Sequence, residues 1–161
     1  MAADRATISV SASLLPDEIK TSVGGTIIYD IDDLGDNNKW AYSLTIVGAS
    51  SEDALLASVP FLGQGTSEEG ATATVNGTDD VVFFFIKHSG TTDGATSTTA
   101  NLHINLSAGT ATGSAVGDIV IKPNECFFAR LGNTEIDDIN ADSSSGNIQA
   151  QVFAICDDGG V

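Results

Sequence analysis

Basic residues are scarce in this chain: six Lys and Arg stand against 22 Asp and Glu in 161 residues, a formal net charge of −16 at pH 7. A surface of that sign repels phosphate backbones and anionic lipid, so nucleic acid and membrane surfaces are disfavoured as partners. The acidity suits a protein that stays dispersed until it meets one specific docking surface, and it equally suits plain solubility. Long apolar runs are missing too. The longest, Val81-Val82-Phe83-Phe84-Phe85-Ile86, falls far short of the ~18 residues of a spanning helix. Met1-Ala2-Ala3-Asp4-Arg5 lacks the basic segment and apolar stretch of a secretory signal. Synthesis in the cytosol, from the true first residue, is therefore expected.

Cysteine is nearly absent. Cys126 and Cys156 each sit in an apolar, strand-like run, with no Cys-x-x-Cys or Cys/His spacing. Two buried free thiols are expected, a disulfide between adjacent strands being the alternative. Only 3 Pro occur beside 17 Gly, and Ser, Thr and Ala abound while 42% of residues are hydrophobic. Short polar residues serve tight connections and Val, Ile, Phe and Thr fill strands, so this is a turn-rich β composition. A chain of this length can bury about 70% of its unfolded surface in one domain. The expectation is a single β-sandwich domain over 1–161, with a flexible arm at 1–6 and a solvated tail at 157–161.

Strand patterns recur along the chain. Period-two alternation marks Thr7-Ile8-Ser9-Val10-Ser11, and Thr26 to Ile31 reads as a second strand after Gly24-Gly25 ends the link. In the strand from Lys39 to Val47, Trp40, Tyr42, Leu44 and Ile46 share one face, which is expected to lie in the core. Ser51 to Ala57 reads as the one short helix, with acids in its first turn. Asn76-Gly77 between apolar runs signals a hairpin into Val81 to His88. Ser89 to Thr99 is a low-complexity connector, expected to move more than its flanks, before Asn101 to Leu106. Asp118 to Lys122, a Pro123-Asn124 turn, Glu125 to Leu131 and Asn147 to Ile155 complete about eight or nine strands, the pattern of an all-β, antiparallel two-sheet sandwich, with a jelly roll the first choice. Val81 to Ile86 and Cys126 to Leu131 are apolar on nearly every residue, so both faces of these strands need cover. That points to a subunit interface, with a homotrimer favoured; cover by a loop or the short helix of the same subunit is the plainer reading.

Chemistry-bearing patterns are thin. Asp30-x-Asp32-x-x-Gly35 opens like a calcium loop but offers Leu34 and Ala41 where oxygen ligands belong, so a solvated acidic loop is expected. Neighbouring acids such as Asp79-Asp80 point to opposite sides of an extended segment and form no facing carboxylate pair. His88 and His103 flank the Ser/Thr-rich connector, and antiparallel pairing around it brings them close, yet two histidines without a third ligand make ordinary strand-end residues. No Gly-x-Ser-x-Gly, Walker loop or dinucleotide fingerprint occurs. No catalytic residue, cofactor or metal is expected.

The C-terminal half, Gly117-Asp118-Ile119-Val120-Ile121-Lys122-Pro123-Asn124-Glu125-Cys126-Phe127-Phe128-Ala129-Arg130-Leu131 with Ile136-Asp137-Asp138-Ile139 and Ile148 to Asp157, resembles small virion structural proteins of tailed bacteriophages. The shared pattern is a strand, a Lys-Pro-Gly/Asn turn, an aromatic strand, a short loop and a final strand. Phe84 to Thr91 resembles strands of the same class, and together these cover about half the chain. Asn124 departs from the pattern, since such turns often carry Gly, and so does the free Cys126. The resemblance implies a capsid decoration, or cement, protein, often a trimer that bridges major capsid subunits; a collar, tail or fibre component is the alternative. Phe83, Phe85, Phe127 and Phe128 are the expected subunit contacts, one of each pair facing the core. In a fibre-like module binding a receptor or carbohydrate, Trp40 and Tyr42 are the sugar-stacking residues.

Overall fold

The computed structural model of the chain describes residues 5–14, 21–30, 38–49, 53–57, 59–63, 72–73, 75–107 and 119–157. Two compact units divide it, Met1–Asp36 and Asn37–Val161. The first is an antiparallel hairpin of β1 (Arg5–Leu14) and β2 (Thr21–Asp30), in register from Arg5 opposite Asp30 to Leu14 opposite Thr21. Its alternation follows the sequence: Ile8 is half-buried and faces Ile27, while Thr7, Ser9 and Ser11 are exposed. Ser9 and Thr26 join hydroxyls at 3.3 Å on the polar side. Gly24 and Gly25 lie inside β2 instead of ending the link.

The second unit holds β3 (Asn38–Val47), β4 (Asp53–Ala54), β5 (Phe61–Gly63), β6 (Thr72–Ala73), β7 (Asp80–His88), β8 (Leu102–Asn105), β9 (Ile119–Ile121), β10 (Cys126–Arg130), β11 (Asn140–Ser143) and β12 (Ile148–Asp157). They form a six-stranded sheet, β10-β7-β12-β3-β5-β6, and a four-stranded sheet, β4-β11-β8-β9. Apart from β5 and β6, the strands pair as a nest. The first pairs with the last (β3 with β12), then β4 with β11, β7 with β10 and β8 with β9, all antiparallel. One core joins the two sheets: Phe84, Ile86 and Val152 from the larger meet Leu102, Ile104 and Ile121 from the smaller. This is the all-β, antiparallel two-sheet architecture that the strand pattern predicts.

A bulge explains why the run Val81 to Ile86 is apolar throughout. β7 and β12 shift register between Ile155 and Cys156, so Val81 faces Cys156 while Phe83 faces Ile155 and Val82 is the extra residue. Val81 and Phe84, three apart, therefore both reach the core. At the far end of β7 the buried His88 imidazole closes the connector. Gly90 N–H donates to His88 Nδ1 at 2.9 Å, which leaves Nε2–H to donate to Ala100 O at 3.0 Å and fixes the neutral tautomer. Gly90 has φ +80°, and a Cβ there would meet the Asn124 side chain at 2.5 Å. Asn124 itself has φ +70° in the Lys122–Glu125 turn, a conformation for which Asn ranks next to Gly.

Two local expectations are corrected. Residues 53–57 are not helical: Asp53–Ala54 is a strand on β11, and Leu55 and Leu56 turn into the core, Leu55 N–H bonding Ile139 O at 3.2 Å. The acids that resemble a first helical turn precede a segment whose two leucines are held by the core, and tertiary burial outweighs propensity. Among the described residues the only helical turn is a 3-10 turn at Ile136–Asp138. Asn76-Gly77 makes no hairpin, since β6 pairs with β5 and β7 with β10 and β12. Asp79 turns the chain there instead: its N–H donates to Asn76 O at 3.0 Å and its carboxylate accepts Asn76 N–H at 3.0 Å. The connector Ser89 to Thr99 carries hydrogen bonds of its own. Asp93 accepts the N–H groups of Ala95 and Thr96 at 2.9 and 2.7 Å, bonds that hold its carboxyl below the usual carboxylate range, and Thr92 N–H reaches Thr96 O at 2.8 Å.

Ile104→Ala removes a fully buried side chain where the sheets meet and is expected to lower unfolding free energy by about 2–5 kcal/mol in urea titration. Gly90→Ala, strained by its φ, is expected to cost about 1–3 kcal/mol.

Candidate interaction surface

The six-stranded sheet has one face on the core and a second face that is apolar as well. On β12, Ile148, Ala150, Val152, Ala154 and Cys156 point inward, leaving Gln149, Gln151 and Phe153 half-buried on the other side, where Ile155 is fully buried. Opposite them on β3, Ala41 and Val47 join the core, which sends Trp40, Tyr42, Leu44 and Ile46 outward. These four do share a face, but the expectation that it lies in the core is overturned: Tyr42 is 55%, Leu44 56% and Ile46 45% exposed. The reason is volume. Ala41, Ser43 and Thr45 lie opposite Ala154, Val152 and Ala150, and these short side chains leave room for the large ones of the facing sheet across a gap of about 10 Å.

Cross-strand rows extend this outer face. One runs Phe128, Phe85, Phe153, Tyr42; the next runs Cys126, Lys87, Gln151, Leu44. Directly opposed side chains sit about 5 Å apart, so each row is continuous. Phe83 packs edge-on to Phe153, ring centroids 6.1 Å apart at 63°. Of the four expected contact residues, Phe127 packs against the core and Phe128 lies on the outer face opposite Phe85. Phe83 and Phe85, two apart, share the outer side, and the core position between them goes to Phe84; Phe83 is 1% exposed, Phe85 and Phe128 half-buried. For that pair the expectation of one ring facing the core fails, because residues two apart in a strand share a face.

Leu44, Ile46 and Phe153 are the outer-face residues that the sequence reading missed. A signal existed: Gln149 and Gln151 alternate with Ala150 and Val152 and mark the outer side of β12, and pairing then places Leu44 and Ile46 beside them.

Other chemistry is dispersed. His88 and His103 lie on β7 and β8, in different sheets, so the pairing that was to bring them together does not occur. His103 stands opposite Asp142, and His103 Nδ1 and Asp142 Oδ1 are both buried without a hydrogen-bond partner. The Asp30–Gly35 loop lies outside the described residues from residue 31 onward. Among the described residues no three His, Cys, Asp or Glu cluster in a metal-holding group, and no helix is long and apolar enough to cross a membrane. Both cysteines are free, but only Cys156 is buried; Cys126 is exposed on an edge strand, whose neighbour on one side alone leaves its outer face open. Burial, and then the negative charge of Asp79, push the Cys156 thiol up to about 12, with Lys39, 3.5 Å from Asp79, pulling the other way.

One thiol per native chain, that of Cys126, is expected to react with a disulfide reagent at neutral pH, and both after denaturation. The unfolded Cys156 thiol ionises near 9.0 and the folded one near 12, so unfolding releases a proton between these values. Stability is complete below about pH 9 and declines as pH rises toward about 12, and Cys156→Ala is expected to abolish that part of the decline in alkaline denaturation curves. In the isolated chain, Leu44→Ser is expected to change unfolding free energy by less than about 0.5 kcal/mol, since it alters an outward side chain. No protein-family model matches the chain, and neither a curated protein nor a solved structure does.

Proposed function

We propose that this protein is a structural docking protein of a virion, of the capsid-decoration kind that its C-terminal half resembles. It acts as a homotrimer that bridges major capsid subunits after synthesis in the host cytoplasm. The observation that carries the reading is the outer face of the six-stranded sheet, where Tyr42, Leu44 and Ile46 stand exposed beside half-buried Phe85, Phe128 and Phe153. Monomeric soluble proteins rarely leave contiguous apolar surface of this kind uncovered, and association buries it. The nest of strand pairs, first with last and inward from there, supports the finer jelly-roll reading of the sandwich.

Light scattering on a size-exclusion column is expected to give three times the 16.5 kDa chain mass, and Tyr42→Asp with Leu44→Asp to give one. A monomer at all concentrations overturns the trimer, and failure of the protein to bind expanded empty capsids overturns the decoration role. A second reading has one observation in its favour: Tyr42 is exposed beside Trp40, as sugar stacking in a collar, tail or fibre module requires. Binding on a glycan array that Tyr42→Ala removes would select it.

A further inference from the structure

We infer that the outer edge of β10 is a strand-addition site for an extended segment of a partner protein, one in which carboxylates flank an apolar side chain at alternate positions. The inference rests on the reading of the protein as a docking protein and names how the partner is held.

The edge of a sheet is a template for another strand, and one common protection is to keep edge strands very short. Among the described residues of the second unit, the edge strands β4 and β6 have two residues each and β9 has three. β10 has five, pairs with β7 without a bulge, and contains neither Pro nor Gly. His88 N–H donates to Glu125 O at 3.0 Å and Leu131 N–H to Val82 O at 3.1 Å. Between those bonds Phe127 and Ala129 turn their N–H and C=O groups toward β7, so Cys126 and Phe128 turn theirs away from the sheet. Cys126 is exposed and Phe128 half-buried, and one added strand would pair the main chain of both.

Charge specifies what that strand carries. The outer-face rows reach the edge at Cys126, with Lys87 next inward, and at Phe128, with Phe85 next inward; a third row ends in Arg130 opposite Phe83. Two of the chain's six bases thus stand in these rows and no carboxylate does, although the net charge is −16. Among the described residues Lys87 has no ion-pair partner. An added strand would lie two strand spacings, about 10 Å, from Lys87, and the short Cys126 side chain between them leaves the lysine stem room to reach a glutamate. The position beside Phe128 continues an aromatic row and suits an apolar residue, and the one beside Arg130 suits a second acid. A second copy of β10 fits poorly: centred on Phe128, it would set Arg130 beside Cys126 and Lys87 of its mate, like charge near like charge.

The test uses the full chain under reducing conditions and a short acetylated peptide in which Thr alternates with Glu, Val and Glu; a second peptide has Lys in place of each Glu. In the free chain, NMR is expected to show the Cys126 and Phe128 amides exchanging many-fold faster than those of Phe127 and Ala129. The Glu peptide is expected to bind and to slow exchange at Cys126 and Phe128, and to bind Lys87→Glu several-fold more weakly; the Lys peptide is expected not to bind. Phe128→Pro, which lacks the outward N–H, is expected to weaken binding several-fold beyond Phe128→Ala, which keeps it. Lys87→Glu alone decides if Phe128→Pro does not fold. No binding of the Glu peptide, equal binding of both peptides, protection elsewhere than on β10, or undiminished binding to Lys87→Glu overturns the inference. If that happens while the chain binds expanded empty capsids, the edge alone is overturned; if capsid binding is absent too, the docking reading falls with it.

Discussion

The register of β12 between β3 and β7 is the constraint on which the rest depends. Ten residues of β12 pair with β3 and eight with β7, and the period-two alternation of one central strand fixes which side chains of both neighbours enter the core. A slip by one residue would exchange Ala150, Val152 and Ala154 for Gln149, Gln151 and Phe153 at the joint between the sheets. Amides would then be buried without partners, which makes such a slip costly. The bulge at Val82 is the local adjustment that lets β7 follow this register and still place both Val81 and Phe84 inside.

From that register follows an inversion of ordinary patterning. Over the middle of β3 and β12 the inner side is lined by the short side chains of Ala41, Ser43, Thr45, Ala150 and Ala154, and the outer side by Tyr42, Leu44, Ile46 and Phe153. Core packing limits the volume available inside, where Leu102, Ile104 and Ile121 already fill the space from the facing sheet. No such limit acts outside, so large apolar residues there are not demanded by the fold of a single chain. Their presence is what an assembly surface requires, and that places the weight of the functional reading on this one face.

The sequence was legible where alternation and turn residues act locally. The strands around Ile8, Tyr42, Phe84, Ile104 and Val152 lie where period two places them, and Pro123-Asn124 turns as its residues dictate. It was illegible where a choice depends on distant chain. Alternation on β3 defines two faces but not which of them meets the opposite sheet, because that is decided by β12. Asn76-Gly77 carries the local signature of a hairpin, yet β7 is claimed by β10 and β12. Of the outer-face residues, Phe85 and Phe128 were readable from the doubly apolar strands, whereas Leu44 and Ile46 needed the pairing partner.

Nesting has a consequence for how the chain is born. β3 leaves the ribosome well before β12 and meets β5 only at Lys39 and Trp40; the ladder along its whole length forms with β12, roughly a hundred residues later. Until then Tyr42, Leu44 and Ile46 have no paired strand beside them, and β3–β5 and the inner pairs β8–β9 and β7–β10 are the ones able to zip first. Closure of this body is thus a late and slow event dominated by distant contacts, and the nascent chain depends in the interval on its own acidity to stay apart from its neighbours.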